Sequence, residues 1–168
     1  FDPPPTEKGN GVFLLMLMCV VSAVDKHQDL LLTSVCNASN DCRLGGFEAP
    51  PCAISLFLGN ELHCAVQRFF DGDAIFPQNL HRCRGKTDRN RTSPLAFTGN
   101  KFEFRMAGSS SSLADCNIVL NTILADEMQI VADRLQNSRN FWADAKIVMK
   151  EMWQQHKKIV FNGNNYSA

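Results

Sequence analysis

The segment at residues 101–106 places charged side chains where they could act together on a substrate. In an extended strand alternate side chains face opposite ways, so Lys101, Glu103 and Arg105 share one face. A carboxylate such as Glu103 can hold a divalent cation, and a guanidinium such as Arg105 can grip an anionic substrate. The same alternation also fits a half-exposed antiparallel strand with solvated charges, which is the favoured interpretation of this segment taken alone.

Two loops carry further charged residues that could meet an anionic or phosphorylated substrate. Residues 40–51 combine two adjacent glycines with Arg43 and Glu48, a combination that is typical of an active-site lid. In residues 88–94, Arg91 precedes a predicted strand and could hold phosphate oxygens through charge-assisted hydrogen bonds. Taken alone, each loop is better explained as an ordinary solvated surface loop.

The seven cysteines do not form a metal or redox motif. No two of them are spaced as C-x-x-C, the spacing expected of a zinc ribbon or a thiol redox site. A looser set could be gathered around a metal, but none of its spacings matches a closed zinc site. The members of that set are Cys42, Cys52, His63, Cys64, His81 and Cys83. We expect free thiols in a reducing compartment, the cytoplasm or, in a eukaryote, an organellar stroma.

The composition argues against several classes of protein. The 168 residues carry 17 basic and 17 acidic side chains, which disfavours a generally basic nucleic-acid-binding protein. The basic cluster within residues 82–91 lacks interleaved aromatic side chains, so we expect no nucleic-acid partner. The apolar run at residues 12–24 is shorter than the roughly 20 residues that cross a bilayer, so we expect no membrane partner. A hydrophobic content of 45% excludes wholesale disorder.

Hydrophobic periodicity predicts an α+β fold in which helices pack on an incomplete sheet. The predicted elements are an irregular lead-in over 2–10, a helix over 12–32, a loop over 33–50, a buried strand over 52–58, a helix over 61–70, a loop over 71–94, strands over 95–97 and 101–106, and helices over 112–135 and 139–159. Ser112 followed by Asp115 resembles a capping box. The buried faces predicted for the last two helices are Cys116, Val119, Leu120, Ile123, Met128, Val131 and Leu135, and then Phe141, Ala145, Val148 and Met152.

Together and in this order, five strings resemble the C-terminal part of the catalytic domain of type III glutamine synthetases. The strings are VSAVDKHQDLL at 21–31, NDCRLGGFEAPPCAISLFLG at 40–59, DRNRTSPLAFTGNKFEFRMAGSS at 88–110, NIVLNTILADE at 117–127 and HKKIVFNGN at 156–164. They are dispersed along the chain between residue 21 and residue 164. Long unbroken strings, rather than a few spaced residues, carry this resemblance.

The resemblance implies a fold, a reaction and an assembly. Residues 1–168 would form part of the glutamine synthetase catalytic domain, an antiparallel sheet packed with helices. The N-terminal β-grasp domain and the first part of the catalytic domain would lie outside this chain. The reaction implied is ATP-dependent ligation of ammonia to L-glutamate through γ-glutamyl phosphate, giving L-glutamine, ADP and phosphate. Mg²⁺ or Mn²⁺ would assist it, and the complete protein would form a ring-shaped homo-oligomer with intersubunit active sites.

The same resemblance implies roles for five residues of this chain. Glu48 matches the flap glutamate, which helps to take a proton from ammonium. Arg43 and Arg105 match arginines that bind substrate glutamate. Arg91 matches an arginine that contacts nucleotide phosphate and stabilises the transferring charge, and Glu103 matches a glutamate that binds metal.

One alternative remains open, that of a catalytically inactive relative kept as a structural or regulatory subunit. It is motivated by the loop of residues 40–51, where Cys42, Gly46 and Phe47 stand in place of the histidine, alanine and asparagine usual in the family. It is also motivated by the family's other metal-binding glutamates, which lie in regions outside this chain. In either case the 168-residue chain by itself is expected to be inactive.

Overall fold

A computed structural model describes residues 5–35, 54–78, 80, 93–108 and 111–163. The elements of these residues are α1 (Glu7–Lys26), α2 (Gln28–Val35), β1 (Leu56–Phe57), α3 (Asn60–Asp71), β2 (Leu95–Phe97), β3 (Phe102–Phe104), α4 (Leu113–Leu135), α5 (Phe141–His156) and a 3-10 turn, Lys157–Ile159. The predicted α+β class is confirmed, and β2 has the bounds that the sequence predicted.

The first helical region begins earlier than predicted and is divided in two. The hydroxyl of Thr6 accepts a hydrogen bond from the amide of Gly9 at 3.2 Å, so the helix begins at Glu7, inside the predicted irregular lead-in. At His27 the backbone leaves the helical region, with φ −120° and ψ 24°, which ends α1 and separates it from α2. The prediction of a single helix over residues 12–32 is therefore wrong both in where the helix begins and in its continuity.

Helix α1 is the centre of the core and packs against both α4 and α5. Leu14, Leu17 and Met18 have no measurable exposure, whereas Val12 is 52% exposed, so burial covers most of the helix but not every side. Within the described part of the chain, α1 alone is long and apolar enough by composition to cross a membrane. Most of its residues are buried against the protein's own helices, which is the pattern of a core helix.

The sheet formed by the described residues has the order β1-β2-β3 and is mixed. β2 and β3 pair antiparallel, as predicted, with Ala96 opposite Glu103. β1 and β2 pair parallel, with Phe57 opposite Ala96, so the prediction of a wholly antiparallel sheet is wrong. The reason is the connection: α3 lies between β1 and β2 in the chain, and a crossover of this kind returns the next strand in the same direction.

Helix α4 begins as predicted, because the hydroxyl of Ser112 accepts a hydrogen bond from the amide of Ala114 at 3.1 Å. The predicted buried stripe is wrong at Met128, which is 39% exposed, while Glu127 beside it is 2% exposed. The predicted face of α5 is likewise wrong at Phe141, which is 44% exposed. A charged residue takes the buried position on α4 because α1 supplies it with partners.

Those partners are Ser22 and Lys26 on α1. The Ser22 hydroxyl donates to Oε1 of Glu127 at 2.8 Å, in a fully buried position. The Lys26 ammonium donates to Oε1 at 2.9 Å and to Oε2 at 2.8 Å. A buried carboxylate is tolerated when it is paired and hydrogen-bonded, and these contacts fix the rotation of α1 relative to α4.

Replacing Glu127 tests this contact. Glu127→Ala is expected to lower the free energy of unfolding by about 2 kcal/mol, because a buried hydroxyl loses its acceptor and Lys26 loses its ion partner. The control is Glu151→Ala, which breaks an exposed pair with Arg134 and should cost less than about 1 kcal/mol. Urea unfolding of both variants measures the difference, and equal losses would contradict the role assigned to Glu127.

Candidate functional site

The candidate site is built on the hairpin of β2 and β3. The turn is closed by the amide of Thr98, which donates to the carbonyl of Lys101 at 2.9 Å. Gly99 lies within the turn at φ 96°, a conformation that a residue with a side chain rarely adopts. The turn sets the register in which Glu103 lies opposite Ala96.

The alternation predicted for residues 101–106 is confirmed. Phe102 and Phe104 turn towards α1 and α4 and line an apolar cavity of about 160 Å³ with residues of both helices. The three charged side chains lie on the other face, with side-chain exposures of 65% for Lys101, 36% for Glu103 and 19% for Arg105. The helices therefore hold the strand by its apolar face and present its charged face outwards.

The two carboxylate oxygens of Glu103 each meet a cation. Arg105 donates to Oε2 from Nη2 at 3.0 Å and from Nε at 3.3 Å. The ammonium of Lys101 lies 3.2 Å from Oε1. The hydrogen bond from Arg105, and after it that from Lys101, lowers the pKa of Glu103 below its ordinary value. Glu103 is therefore an ionised carboxylate held between two positive groups.

The described residues do not by themselves fit a complete metal site. Among them, no group of three or more His, Cys, Asp or Glu side chains comes together. Glu103 offers one carboxylate, and both its oxygens are already engaged by Lys101 and Arg105. A complete set of oxygen ligands for Mg²⁺ or Mn²⁺ would need further donors beside Glu103.

The sheet also brings particular ends of its strands together. Because β1 and β2 are parallel and β3 is antiparallel, β3 ends at the same edge of the sheet where the other two begin. The amide of Arg105 donates to the carbonyl of Pro94 at 2.8 Å, and the amide of Leu95 donates to the carbonyl of Ser55 at 3.4 Å. Arg105 therefore lies beside Pro94, which leads into β2, and β1 begins one strand further along the same edge.

The structure thus brings together two of the five predicted site residues, Glu103 and Arg105. Arg43, Glu48 and Arg91 lie outside the described residues, as do the departures from the family pattern in residues 40–51. In sequence they belong to the segments that precede β1 and β2.

Two further residues are neighbours of Glu103. Lys101, which the sequence already places on the same strand face, is a second cationic partner of the carboxylate. Ala96 lies opposite Glu103 on β2 and is fully buried, so a small side chain forms the floor beside the carboxylate. No sequence signal indicates this second neighbour, because the register of β2 against β3 is not visible in the chain.

The looser set of metal ligands finds no support in the described part of the chain. Two of its members, His63 and Cys64, are described and are adjacent on α3. His63 contacts the side chain of Asn162, whereas Cys64 is an exposed free thiol. The other four members lie outside the described residues.

Replacing the two cations tests the electrostatics of the site. Arg105→Met is expected to raise the pKa of Glu103 towards its ordinary value of 4.5, and Lys101→Met should raise it less, because the arginine makes the stronger contact. NMR titration of the Glu103 carboxyl carbon measures both shifts. The contacts of ionised Glu103 with Arg105 and Lys101 stabilise the fold at pH values above the ordinary pKa of the carboxyl group. This stabilisation is lost as the pH falls through the lower pKa that Glu103 has in the folded protein. An unchanged titration in Arg105→Met would contradict the assignment.

Comparison with known proteins identifies relatives over nearly the whole chain. No family model matches it. The type-3 glutamine synthetase of Dictyostelium discoideum is 40% identical over 185 residues, and the alignment covers 99% of this chain and 25% of that protein. The glutamine synthetases of Bacteroides fragilis and Butyrivibrio fibrisolvens are 37% and 36% identical, again over 99% of this chain and 25% of each relative.

The chain therefore spans about a quarter of the length of the curated relatives it matches. Strings from residue 21 to residue 164 carried the resemblance inferred from the sequence, and the alignments extend over the same residues. The resemblance is confirmed: over 99% of its length this chain is similar to proteins named type-3 glutamine synthetase or glutamine synthetase.

Proposed function

We propose that residues 1–168 are part of the catalytic domain of a glutamate–ammonia ligase. The complete protein would join ammonia to L-glutamate at the expense of ATP, through γ-glutamyl phosphate, and release L-glutamine, ADP and phosphate. The observation that carries this proposal is the Glu103–Arg105 pair, held on one strand face at the sheet edge where β1 and β2 begin. The identity of 36–40% with glutamine synthetases supports the same reaction.

Arg105 is assigned to the binding of substrate glutamate. Its guanidinium is planar and carries five N–H donors, a geometry that suits a carboxylate. The backbone contact to Pro94 and the side-chain contact to Glu103 hold the group before substrate arrives. A preorganised group loses less conformational freedom on binding, so this rigidity favours affinity.

Glu103 is assigned to metal binding, as one ligand among several. Mg²⁺ or Mn²⁺ would neutralise the negative charge of the ATP phosphates. The lowered pKa of Glu103 suits this role, because a carboxylate binds metal in its ionised form and no proton has to be displaced. The other ligands would come from the regions of the complete protein that this chain does not cover.

The roles proposed for the three remaining residues are those that the resemblance implies. Glu48 would help to take the proton from ammonium, Arg43 would bind glutamate, and Arg91 would contact the nucleotide phosphate. Their segments precede β1 and β2 in the sequence, and both strands begin at the sheet edge where Arg105 follows β3. This connectivity is compatible with a single site that contains all five residues.

The complete protein would assemble as a ring-shaped homo-oligomer with active sites between subunits, in the cytoplasm or an organellar stroma. The 168-residue chain alone is expected to be inactive, because it corresponds to about a quarter of each relative. Its metal ligands and nucleotide pocket would be incomplete without the rest.

Substitutions in the complete protein test the assignment. Glu48→Ala should reduce glutamine formation far more than ATP binding, because this residue acts on ammonium. Glu103→Gln should reduce turnover by about a hundredfold or more and raise the metal concentration needed for activity. The control, Glu151→Gln, removes an exposed charge on α5 and should leave turnover unchanged. The measurements are ATP-dependent glutamine production and nucleotide affinity.

The outcomes separate the two functions that the sequence left open. Unchanged turnover in Glu48→Ala and Glu103→Gln would contradict the site assignment. If the unsubstituted protein, with ATP, ammonium and Mg²⁺ or Mn²⁺ present, makes no glutamine, the chain belongs to an inactive structural or regulatory relative.

A further inference from the structure

The end of the described chain, residues 156–163, is fastened to the core at two points, and we call it the C-terminal clasp. At its start, Nδ1 of His156 lies 2.7 Å from Oδ2 of the buried Asp25 on α1. Further along, Val160 pairs with Leu56 of β1, and the amide of Phe161 donates to the Leu56 carbonyl at 3.0 Å. The clasp thus adds a short parallel partner to the free side of β1.

The side chain of Asn162 strengthens the second of these attachments. Its Oδ1 accepts hydrogen bonds from the amides of Leu58 at 3.1 Å and Gly59 at 3.0 Å. Backbone amides can only donate, so these two contacts fix which end of the Asn162 amide is the oxygen. The nitrogen Nδ2 must then face His63, whose Nδ1 lies 3.0 Å away.

This network also fixes the protonation state of His63. Since Nδ2 of Asn162 can only donate, Nδ1 of His63 must accept and carries no proton. Rotating the Asn162 amide would not make a proton on Nδ1 of His63 acceptable, because the NH₂ group would then face the N–H groups of Leu58 and Gly59, which also donate. A proton on Nδ1 therefore leaves two donors facing each other in either orientation.

The surroundings of His63 oppose its positive form. The ring stands edge-on to that of Trp153, with 5.4 Å between centroids, and Lys157 of the 3-10 turn adds a positive charge nearby. Partial burial, and after it the charge of Lys157, lowers the pKa of His63 below its ordinary value. No carboxylate contacts the His63 imidazole among the described residues, so nothing there compensates a proton.

We propose that His63 is a proton-sensitive latch, which at acid pH releases the distal part of the C-terminal clasp from β1. Protonation converts Nδ1 of His63 from acceptor to donor and breaks its hydrogen bond with Asn162. The pairing of residues 160–162 with β1 then loses the support of that side chain.

The contact at the start of the clasp, between His156 and Asp25, responds differently to acid. Nδ1 of His156 can donate to Asp25 whether the imidazole is neutral or protonated, and Lys158 lies 3.3 Å from the same Oδ2. Acid therefore opens the clasp at its distal end while its start stays attached to α1. The response is local rather than a general unfolding.

The direction and size of the effect follow from linkage. An unfolded histidine titrates near pH 6.5, and His63 titrates lower in the folded chain. The clasp is therefore most stable above about pH 6.5 and weakens as the pH falls below it. Its opening constant should rise by up to about tenfold per pH unit until the folded pKa is reached.

Hydrogen exchange followed by mass spectrometry tests the latch in the complete polypeptide. Exchange in peptides covering residues 56–63 and 157–163, corrected for the intrinsic pH dependence, should accelerate by about tenfold between about pH 7.5 and pH 5.5. In His63→Gln the acceleration should disappear, because a glutamine carbonyl accepts at both pH values. The control His27→Gln removes a histidine at the break between α1 and α2 and should keep the response.

A second variant keeps the test decisive if His63→Gln does not fold. In Asn162→Asp the carboxylate can accept from both backbone amides and from a protonated His63. Acid should then slow the exchange of residues 157–163 instead of accelerating it. Two results would overturn the proposal: exchange that is independent of pH in the unsubstituted protein, or acceleration by acid that persists in either variant.

Discussion

The rest of the structure depends on the burial of α1, an apolar helix whose C-terminal end carries two adjacent charged residues, Asp25 and Lys26. Neighbouring side chains on a helix point about 100° apart, so each can reach a different partner helix. Asp25 contacts His156 of α5, and Lys26 contacts Glu127 of α4. Because apolar packing has little directional preference, these polar contacts select one rotation of α1 in its groove.

The candidate site inherits its position from that arrangement. Helices α1 and α4 form the surface on which Phe102 and Phe104 lie, and the charged face of the strand points the other way. On β1 the C-terminal clasp, through Val160, occupies the side opposite β2. Glu103 and Arg105 are thus positioned by β3, a short strand that is held in place by the elements packed around it.

What the sequence could predict is what depends on local pattern. The bounds of β2, the alternation in residues 101–106 and the helix start at Ser112 each follow from residues close together in the chain. The buried Glu127 was missed because its partners on α1 are about a hundred positions away. The parallel pairing of β1 with β2 was missed for the same reason, since a single sequence does not reveal which strands become neighbours.

The residues that carry the resemblance to glutamine synthetases are of two kinds: those that stabilise the fold and those assigned to the site. Four of the five strings are joined by polar contacts that fasten the fold: Asp25 with His156, Lys26 with Glu127, and Asn162 with the amide of Gly59. An active enzyme and an inactive relative would need these contacts equally, so they are evidence for the fold rather than for catalysis. The case for catalysis therefore rests on the three arginines and two glutamates assigned to the site, and their substitution in the complete protein is the informative experiment.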